Sequence, residues 1–534
     1  MRRSKSIPPW LVLLFLTLTT VVADEPTVRS DLSIANVASY VDELAKKQQI
    51  VTDLKVRIEQ GVSFFEITST NDPSTKPWLI QFNLSESEFK AQAKKHETDG
   101  FAMPVHRFVT VNRKRLHSAV WIQDSDRGIV LTLPDGDLPQ SGHIGSEIEP
   151  LKKLMSEFLK ANNIPGGTLA VSHNGKMIFE RGFGYSEVDS RTPMPATANM
   201  RIASLSKPIT AVAILILVQD GKLQLDQKLI DLLKRHSQHQ FDFSKIKEVD
   251  PRWAQITVRH LLLHSGGWDR AISQDTVFRS VKVSKTLQLD RLARPHDLVQ
   301  YQLAQPLDFD PGTKYVYSNV GYCMLGRVIE AVTGQPYEEF VSDRILQPAG
   351  MIQTRLGKTR LCNRAADEVR YYTQKTFKGP AVWDLAADKN DGGFEMVSEC
   401  YGQWDLEVMD SHGGWTSTAP DLVRFIDAID SPEAPLLTKE SREMMLERPS
   451  FLEASSTDTW YGLGWSVRIV DRSEGRNLWH TGSFAGTSSL MVRRSDGYTW
   501  AVLFNVDRTK NGNRCSDLID RKVHSAVNES QVSR

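Results

Sequence analysis

The fold is predicted from residues 204–218, which read SLSKPITAVAILILV. Positions 209–218 carry no charge and are apolar on nearly every face, and a helix of that composition must be buried. Pro208 is compatible with the first turn of such a helix, because the early amides of a helix lack helical acceptors. The stretch therefore predicts a core helix with Ser204 and Lys207 in its first turn.

Ser204 and Lys207 have a spacing that suits nucleophilic catalysis. Residues i and i+3 share a helix face, so the Lys207 amine can reach the Ser204 hydroxyl. Burial disfavours charged lysine and lets it accept or relay the serine proton, while the helix N-terminus stabilises negative charge at the serine. Two other Ser-x-x-Lys strings, residues 87–90 and 244–247, do not precede such an apolar run. On this string alone, an N-capping serine beside a lysine that reaches the surface stays an alternative.

A second string, YSN at residues 317–319, follows a Pro-Gly turn and precedes a helix-like stretch. An extended backbone projects residues i and i+2 to the same side, so the Tyr317 phenol and the Asn319 amide are expected to point together into a cleft. Taken alone, this string is equally typical of residues that cap the following helix.

A third string, WHTGS at residues 479–483, lies between strand-like segments. Gly482 would let an acyl substrate lie against the strand backbone, and the amide that follows could stabilise an oxyanion. Considered alone, the string carries little information, and His480 is also compatible with a surface histidine.

Together, Ser-x-x-Lys, Tyr-x-Asn and His-Thr-Gly in this order resemble the signature of the serine β-lactamase-like and penicillin-binding-protein-like family, which includes class C β-lactamases, D-aminopeptidases, esterases and animal β-lactamase-like proteins. The resemblance spans about residues 165–505, and accessory strings at 256–267, 413–421 and 461–465 agree with it. It implies an α/β (α+β) fold: a β-lactamase/transpeptidase-like antiparallel sheet flanked by helices, with a large helical subdomain.

The resemblance also implies roles for individual residues. Ser204 resembles the acylated nucleophile and Lys207 its proton-relay partner. Tyr317 resembles the general base and acid that takes the serine proton and returns one to the leaving group, and a cationic lysine nearby should lower its pKa. The substrate-binding residues implied are Asn319, which bonds the lysine and a substrate amide, and His480, Thr481, Gly482 and Ser483 of the flanking strand. The oxyanion hole would use the backbone amides of Ser204 and Ser483.

One position departs from the bacterial pattern. His480 stands where β-lactamases usually have lysine, so recognition of a substrate carboxylate by a fixed charge is expected to be weaker here. The histidine form looks more like the esterase, peptidase and animal branches of the family.

The N-terminus predicts export. Residues 1–5 are basic, residues 10–22 carry no charge, and Val21-Val22-Ala23 offers a signal-peptidase site, so residues 1–23 are predicted to be a signal peptide. The chain is therefore expected to be secreted and extracellular, with no stable membrane span after cleavage. An uncleaved signal anchor facing the lumen or the outside stays an alternative.

The rest of the chain is predicted to form two parts. Residues 24–140 are expected to form a small N-terminal α/β module, and one motif in it resembles repeated domains attached to some secreted β-lactamase-like proteins. Residues 134–146 are rich in turn formers and predict a linker. Residues 147–527 are the predicted hydrolase domain, with strands at both ends joined in one sheet and a helical insertion between them. No internal repeat stands out.

Export gives meaning to two further features. Asn83 and Asn528 lie in glycosylation sequons, which matter if a eukaryote makes the chain. Of 4 cysteines, Cys362 and Cys400 bracket a charged, loop-rich segment and are the expected disulfide pair in an oxidising compartment. No cysteine pair has the spacing of a metal site.

Composition limits the remaining choices. The 65 basic and 65 acidic residues balance, so no overall field attracts nucleic acid or an anionic membrane. The predicted activity is acyl transfer from a small ester or peptide to water through a Ser204 acyl-enzyme, without metal or organic cofactor. The partner is then a small-molecule or peptide substrate. The alternative is a catalytically silent binding or scaffold protein with the same fold.

Overall fold

The computed structural model describes residues 27–71, 77–98, 101–111, 114–123, 131, 133–134, 136–235, 241–244, 249–374, 378–386, 395–452, 458–470 and 475–532. The predicted signal peptide, residues 1–23, lies outside the described residues. No helix within these ranges is long and apolar enough to cross a bilayer. The chain divides into two compact units, which meet in sequence between residues 123 and 124, with the short segment 100–102 assigned to the second unit.

The first unit consists of two successive copies of a strand–helix–strand–strand motif. The first copy is β1 (Thr27–Ser33), α1 (Ile34–Lys46), β2 (Gln49–Glu59) and β3 (Val62–Asn71), and the second is β4 (Trp78–Ser85), α2 (Glu86–Thr98), β5 (Phe101–Val111) and β6 (Lys114–Gln123). The two sheets have the orders β1-β3-β2 and β4-β6-β5, so each copy places its last strand in the middle. No internal repeat stands out in the sequence, and this one is visible in the order of the elements.

The second unit is built on a nine-stranded sheet. Its strands are β7 (Gln140–Ser141), β8 (Gly166–His173), β9 (Lys176–Glu187), β10 (Thr192–Pro193), β16 (Thr459–Tyr461), β17 (Ser466–Ile469), β18 (Arg476–Phe484), β19 (Thr487–Arg493) and β20 (Tyr498–Phe504). The order is β10-β9-β8-β20-β19-β18-β17-β16, with β7 also paired to β9, and every pairing is antiparallel. Strands from both ends of the unit meet where β8 pairs with β20, as the sequence predicts.

Helices cover both faces of this sheet. The described helices of the unit are α3 (Glu149–Asn162), α4 (Ser206–Gln219), α5 (Leu229–Leu233), α6 (Val258–Leu262), α7 (Ser280–Thr286), α8 (Pro295–Leu303), α9 (Asn319–Thr333), α10 (Tyr337–Val341), α11 (Val382–Ala386), α12 (Ala419–Ile429), α13 (Lys439–Leu446) and α14 (Cys515–Val532). Short strands β11 (Met200–Arg201), β12 (Arg355–Leu356) and β15 (Trp415–Ser417) form a small second sheet, and β13 (Lys378–Pro380) pairs with β14 (Met396–Ser398). This mixture of helices and antiparallel sheet confirms the predicted fold class.

Alternate residues of the central strands enter two different cores. Trp500 and Val502 of β20 pack in the core that α3 and α14 share, whereas Ala501 and Leu503 pack in the core around α4. Such alternation follows from the two-residue period of a strand. Residues 206–217 of α4 are all buried, which confirms that an apolar stretch without a polar face becomes a core helix.

The predicted disulfide between Cys362 and Cys400 is absent from this structure, in which both thiols are free. Cys362 is exposed, whereas Cys400 is buried, and burial raises the pKa of its thiol to about 12. A guanidinium joins the two chain segments instead: Arg201 donates from Nη1 to Cys400 O at 2.6 Å and from Nη2 to Lys358 O at 2.8 Å. Sequence spacing cannot reveal such a bridge from a residue more than 150 positions away.

The two sequon asparagines have different surroundings. Asn83 lies half-buried in β4 with a φ of +51°, and its Oδ1 accepts from Ser63 Oγ at 3.1 Å. Asn528 lies on α14, and its Oδ1 accepts from Arg494 Nη1 at 2.7 Å. Glycosylation of either residue stays a prediction.

Candidate functional site

The segment that carries Ser204 is a tight turn between β11 and α4. Residues 203–205 form one turn of 3₁₀ helix, and Ala203 has a φ of +48°, a left-handed conformation that costs a non-glycine residue about 1–2 kcal/mol. The hydroxyl of Ser206 donates to Ala203 O at 2.7 Å. Ser204 is half-buried, although its neighbours on both sides are fully buried, so the turn presents this one side chain to the solvent side.

Strand β19 holds the backbone that leads into this turn. The hydroxyl of Thr487 donates to Arg201 O at 2.7 Å, and that of Ser489 donates to Ile202 O at 2.8 Å. These bonds satisfy two buried carbonyls and fix the path of the chain directly before Ser204, so the strained turn is supported by the sheet.

Lys207 lies fully buried beneath the Ser204 hydroxyl. Its Nζ is 3.1 Å from Ser204 Oγ, 2.7 Å from Asn319 Oδ1 and 2.8 Å from His412 O. Burial lowers the pKa of Lys207 well below its usual value, the Asp275 carboxylate opposes this shift, and Arg270 adds to it. The structure thus has the predicted buried lysine beside the serine, and the lowered pKa of Lys207 favours the neutral amine.

Tyr317 approaches the same oxygen from another side. Its hydroxyl donates to Ser204 Oγ at 2.8 Å, and the Lys207 amine lies 4.8 Å from the centroid of its ring. The expectation that lysine lowers the pKa of this phenol is wrong: burial raises the pKa of Tyr317, although the hydrogen bond to Ser204 opposes the rise. A buried amine that loses its own charge cannot stabilise a phenolate.

Asn319 reaches the lysine because the backbone is extended at Ser318 and α9 begins only at Asn319. Ser318 has an extended backbone, with φ −134° and ψ 122°, and its hydroxyl caps α9 by accepting from Gly321 N at 3.3 Å. The side chains of Tyr317 and Asn319 consequently both reach the Ser204–Lys207 pair, as the i, i+2 spacing predicts. Nδ2 of Asn319 donates to Asp275 Oδ2 at 2.7 Å, a contact that sequence reasoning missed.

His480 is buried and neutral. Its Nδ1 lies 2.7 Å from Thr481 O, so this nitrogen carries the proton, and Nε2 accepts from the Tyr461 hydroxyl at 3.0 Å. Burial lowers the pKa of His480 to about 3, with Lys207 contributing. The position that is usually a lysine therefore provides no fixed positive charge. Tyr461 was included in an accessory string, but nothing in the sequence paired it with His480.

A second buried histidine, His264, lies behind Tyr317. The ring of His264 is 4.3 Å from that of Tyr317 and 4.7 Å from that of Tyr461, and its Nδ1 accepts from Ser318 N at 3.1 Å. Burial lowers the pKa of His264 well below its usual value. A neutral ring therefore supports the extended segment that carries Tyr317.

Strand β18 runs beside the turn that carries Ser204 and needs glycine there. A Cβ on Gly482 would overlap Ile202 O and Ser489 Oγ and would lie 3.1 Å from Ser204 N. Thr481 and Ser483 flank this glycine on the same strand. Ser483 also lines a cleft of about 750 Å³ with Phe278, Trp404 and Phe484. The predicted residues of all three strings are thus brought together at one site.

No group of three or more His, Cys, Asp or Glu side chains in the described ranges is arranged to hold a metal ion. The chemistry available at this site is that of a hydroxyl, an amine, a phenol and backbone amides.

Comparison with known proteins identifies the family. The family model described as Beta-lactamase matches residues 151–523. Penicillin-binding protein 4* of Bacillus subtilis is 26% identical over 332 residues, which are 62% of this chain and 65% of that protein. Protein flp of Staphylococcus aureus is 28% identical over 212 residues, 40% of this chain and 39% of the relative. The alignments thus cover less than two thirds of either relative's length.

Solved structures show the same fold at lower identity. D-amino acid amidase from Ochrobactrum anthropi SV3 has a TM-score of 0.52 at 23% identity, covering 72% of this chain and 99% of that one. An octameric penicillin-binding protein homologue from Pyrococcus abyssi has a TM-score of 0.51 at 22% identity, covering 70% and 77%. Because the family model covers well over half of the 534 residues, the chain belongs to the β-lactamase family of serine hydrolases.

Proposed function

We propose that this chain hydrolyses small esters or amides through a covalent acyl-enzyme on Ser204. One observation carries the proposal: Ser204 Oγ lies between a buried amine, Lys207 Nζ at 3.1 Å, and a phenol, Tyr317 Oη at 2.8 Å. A weak nucleophile of this kind is activated by a base within hydrogen-bond reach, and both distances meet that requirement.

Acylation begins with the serine proton. A neutral amine has two N–H groups and one lone pair, and Asn319 Oδ1 and His412 O can only accept, so they take the two N–H groups of Lys207. The lone pair then faces the Ser204 hydroxyl. As Oγ attacks the substrate carbonyl carbon, the serine proton moves to Lys207 Nζ and the carbonyl oxygen becomes an oxyanion, for which we propose the amides of Ser204 and Ser483 as donors.

Collapse of the tetrahedral intermediate needs a proton donor. We assign this role to Tyr317, which gives its phenolic proton to the leaving oxygen or nitrogen as that bond breaks. The proton held on Lys207 then passes to the phenolate, so both groups become neutral again. Deacylation reverses the roles: the Tyr317–Lys207 pair takes a proton from water as its oxygen attacks the ester carbonyl. The pair then gives a proton to Ser204 Oγ as the bond between Oγ and the acyl carbon breaks, which releases the acid and restores both groups to their neutral forms.

His480 is not the base in this scheme. Both of its ring nitrogens are engaged, one with Tyr461 and the other with Thr481, whereas Tyr317 contacts the nucleophile directly. The proposed role of His480 is to shape the substrate side of β18.

Labelling with a fluorophosphonate probe tests the proposed activity. The wild type and a Ser87→Ala control, which alters another Ser-x-x-Lys string, should be labelled, and Ser204→Ala should not. A silent binding protein with this fold would leave all three unlabelled. Labelling of Ser204→Ala at the wild-type rate would contradict the assignment of the nucleophile.

We also propose that the chain is exported and loses residues 1–23. The support is the basic start, the uncharged run and the Val-Val-Ala site in the sequence. N-terminal sequencing of material secreted by a eukaryotic host should give Asp24, and glycopeptide analysis should find glycan at Asn83 or Asn528. An intact Met1 on protein from the cytosol would contradict the proposal.

A further inference from the structure

We propose that Asp275 is a positioning residue that sets the direction of proton transfer between Ser204 and Lys207, acting through the amide of Asn319. The inference rests on the proposed function, because it explains how the lysine lone pair is kept on the serine. Its basis is a chain of contacts from Asp275 Oδ2 to Asn319 Nδ2 at 2.7 Å and from Asn319 Oδ1 to Lys207 Nζ at 2.7 Å.

The Asp275 carboxylate is itself held in place. It is half-buried at the start of the 3₁₀ turn Thr276–Phe278, where Oδ1 accepts from Val277 N at 3.4 Å. Oδ2 is thereby directed at Asn319 and not at Lys207. Asp275 therefore touches none of the reacting atoms, and its effect passes through the amide between them.

An ionised carboxylate can form a hydrogen bond only with the NH₂ group of an amide, because it has no donor for the amide oxygen. Burial raises the pKa of Asp275, while the hydrogen bonds from Asn319 Nδ2 and Val277 N oppose the rise. In its ionised form the side chain has acceptors and no donor, so it selects the orientation in which Asn319 presents Nδ2 to it. The opposite face, Oδ1, must then point at Lys207 and accept an N–H from it. An uncharged amide in place of Asp275 could present either its oxygen or its nitrogen to Asn319, so the orientation of Asn319 would depend on how that new amide is itself held.

The second N–H of Lys207 is fixed by the backbone. His412 O accepts it at 2.8 Å, and the N–H of the same peptide unit, that of Gly413, donates to Met409 O at 2.9 Å, which holds the peptide in place. With both N–H groups assigned to acceptors, the remaining lone pair faces Ser204 Oγ at 3.1 Å. If Asn319 rotated, its Nδ2 would donate to this lone pair and the serine would lose its base.

The charged groups around the Lys207 amine also bear on the role of Asp275. The titratable and charged groups that face Lys207 are Asp275, Arg270, His264, His412, His480, Tyr317 and Tyr322. Burial lowers the pKa of each of the three histidines, so these rings are neutral around pH 7. Asp275 supplies the carboxylate of this set, but the Asn319 amide lies between it and Lys207. Asp275 therefore orients Asn319 and does not form an ion pair with the amine.

Asp275→Asn tests the inference because it is isosteric and retains a cap. Oδ1 of the new amide still accepts from Val277 N, which places its Nδ2 against Nδ2 of Asn319 and drives Asn319 to rotate. The rate of fluorophosphonate labelling at Ser204 and kcat for an ester should fall about 10-fold or more, whereas KM should change little. Asp269→Asn makes the same exchange six residues earlier, without a contact to Asn319, and should react at the wild-type rate.

The swapped variant Asp275→Asn with Asn319→Asp supplies a rescue. Asn at 275 donates to one oxygen of the new carboxylate, and the other oxygen accepts from Lys207, so the donor and acceptor pattern is restored. A carboxylate beside the amine raises the lysine pKa, so activity should recover relative to Asp275→Asn only at high pH. A residue that merely stabilises the loop would not produce this pH-dependent recovery.

Three outcomes separate the possibilities. Asp275→Asn labelled at the wild-type rate would overturn the inference and leave the proposed function intact. No labelling of the wild type would contradict the proposed function and the inference with it. If Asp275→Asn does not fold, judged by its thermal melting, the swapped variant decides alone: labelling that appears at high pH supports the inference, and none at any pH overturns it.

Discussion

The Tyr461 hydroxyl donates a hydrogen bond to His480 Nε2 at 3.0 Å, and this bond occupies the one ring nitrogen that could act as a base. The other nitrogen is protonated toward Thr481 O. Because the pKa of His480 is lowered to about 3 by burial, the ring stays neutral at any pH at which the enzyme would work. We therefore propose that His480 forms part of the wall of the site and that Tyr317 takes part in its chemistry.

This assignment predicts a contrast between two substitutions. Tyr317→Phe removes the hydroxyl 2.8 Å from Ser204 Oγ and should lower kcat by about 100-fold or more, the usual effect of losing an acid–base group. His480→Lys restores the usual bacterial residue and should mainly shift preference toward substrates with a carboxylate. Values of kcat and KM for a neutral and a carboxylated ester would test both. A near-normal kcat in Tyr317→Phe with abolished activity in His480→Lys would reverse the roles.

The state of Lys207 predicts the pH dependence. The neutral amine is the active form, and its pKa is lowered well below the usual value by burial, so activity is present above that pKa and is lost as pH falls through it. Lys207→Arg keeps a cation that does not deprotonate and should be inactive across the whole range. A profile of kcat/KM from pH 5 to 10 is the measurement. An Arg variant with an ordinary pH profile would show that a charged side chain suffices at this position.

Strand β18 predicts a steric requirement at one position. Gly482→Ala would push a methyl group into Ile202 O and Ser489 Oγ, which support the turn before Ser204. We expect kcat to fall by about 100-fold, as when an oxyanion donor is lost, while the far-ultraviolet circular dichroism stays unchanged. Gly321→Ala is the control, since its nearest contact would be an ordinary 3.7 Å. Equal activity of the two variants would mean that β18 does not define the oxyanion site.

Thiol reactivity reports on the unpaired cysteines. Cys362 is exposed and should react with iodoacetamide in the native protein, whereas Cys400 is buried with a raised pKa and should react only after unfolding. Peptide mapping before and after denaturation distinguishes the two. If neither cysteine reacts until a reductant is added, a disulfide links them in the secreted protein and the arrangement around Arg201 differs from this structure.

The positions of Ser204 and its neighbours could be predicted because each lies in a local string with a defined geometry. The apolar run after Ser204 required a buried helix, and that burial in turn required a perturbed lysine. The i, i+2 spacing of Tyr317 and Asn319 gave two side chains on one side of an extended segment, which reach Lys207 and Ser204 in the structure. Local periodicity was sufficient for these positions.

Other features depended on contacts that no local pattern encodes. Asp275 is 44 residues from Asn319 and lies in a loop without periodicity, so nothing in the sequence distinguished it from neighbouring acids. The pKa of Tyr317 was predicted with the wrong sign because proximity to lysine was visible and the loss of the lysine's charge was not. The repeat in the first unit is a matter of strand order, which a single sequence does not display.

The most direct test of the central claim is the location of the covalent intermediate. The wild type, mixed with an activated ester and quenched in acid, should gain the mass of one acyl group, and peptide mapping should place that group on Ser204. The adduct should be absent from Ser204→Ala and should form more slowly in Tyr317→Phe. An acyl group found on Ser87, Ser244 or Ser265 instead would contradict the account.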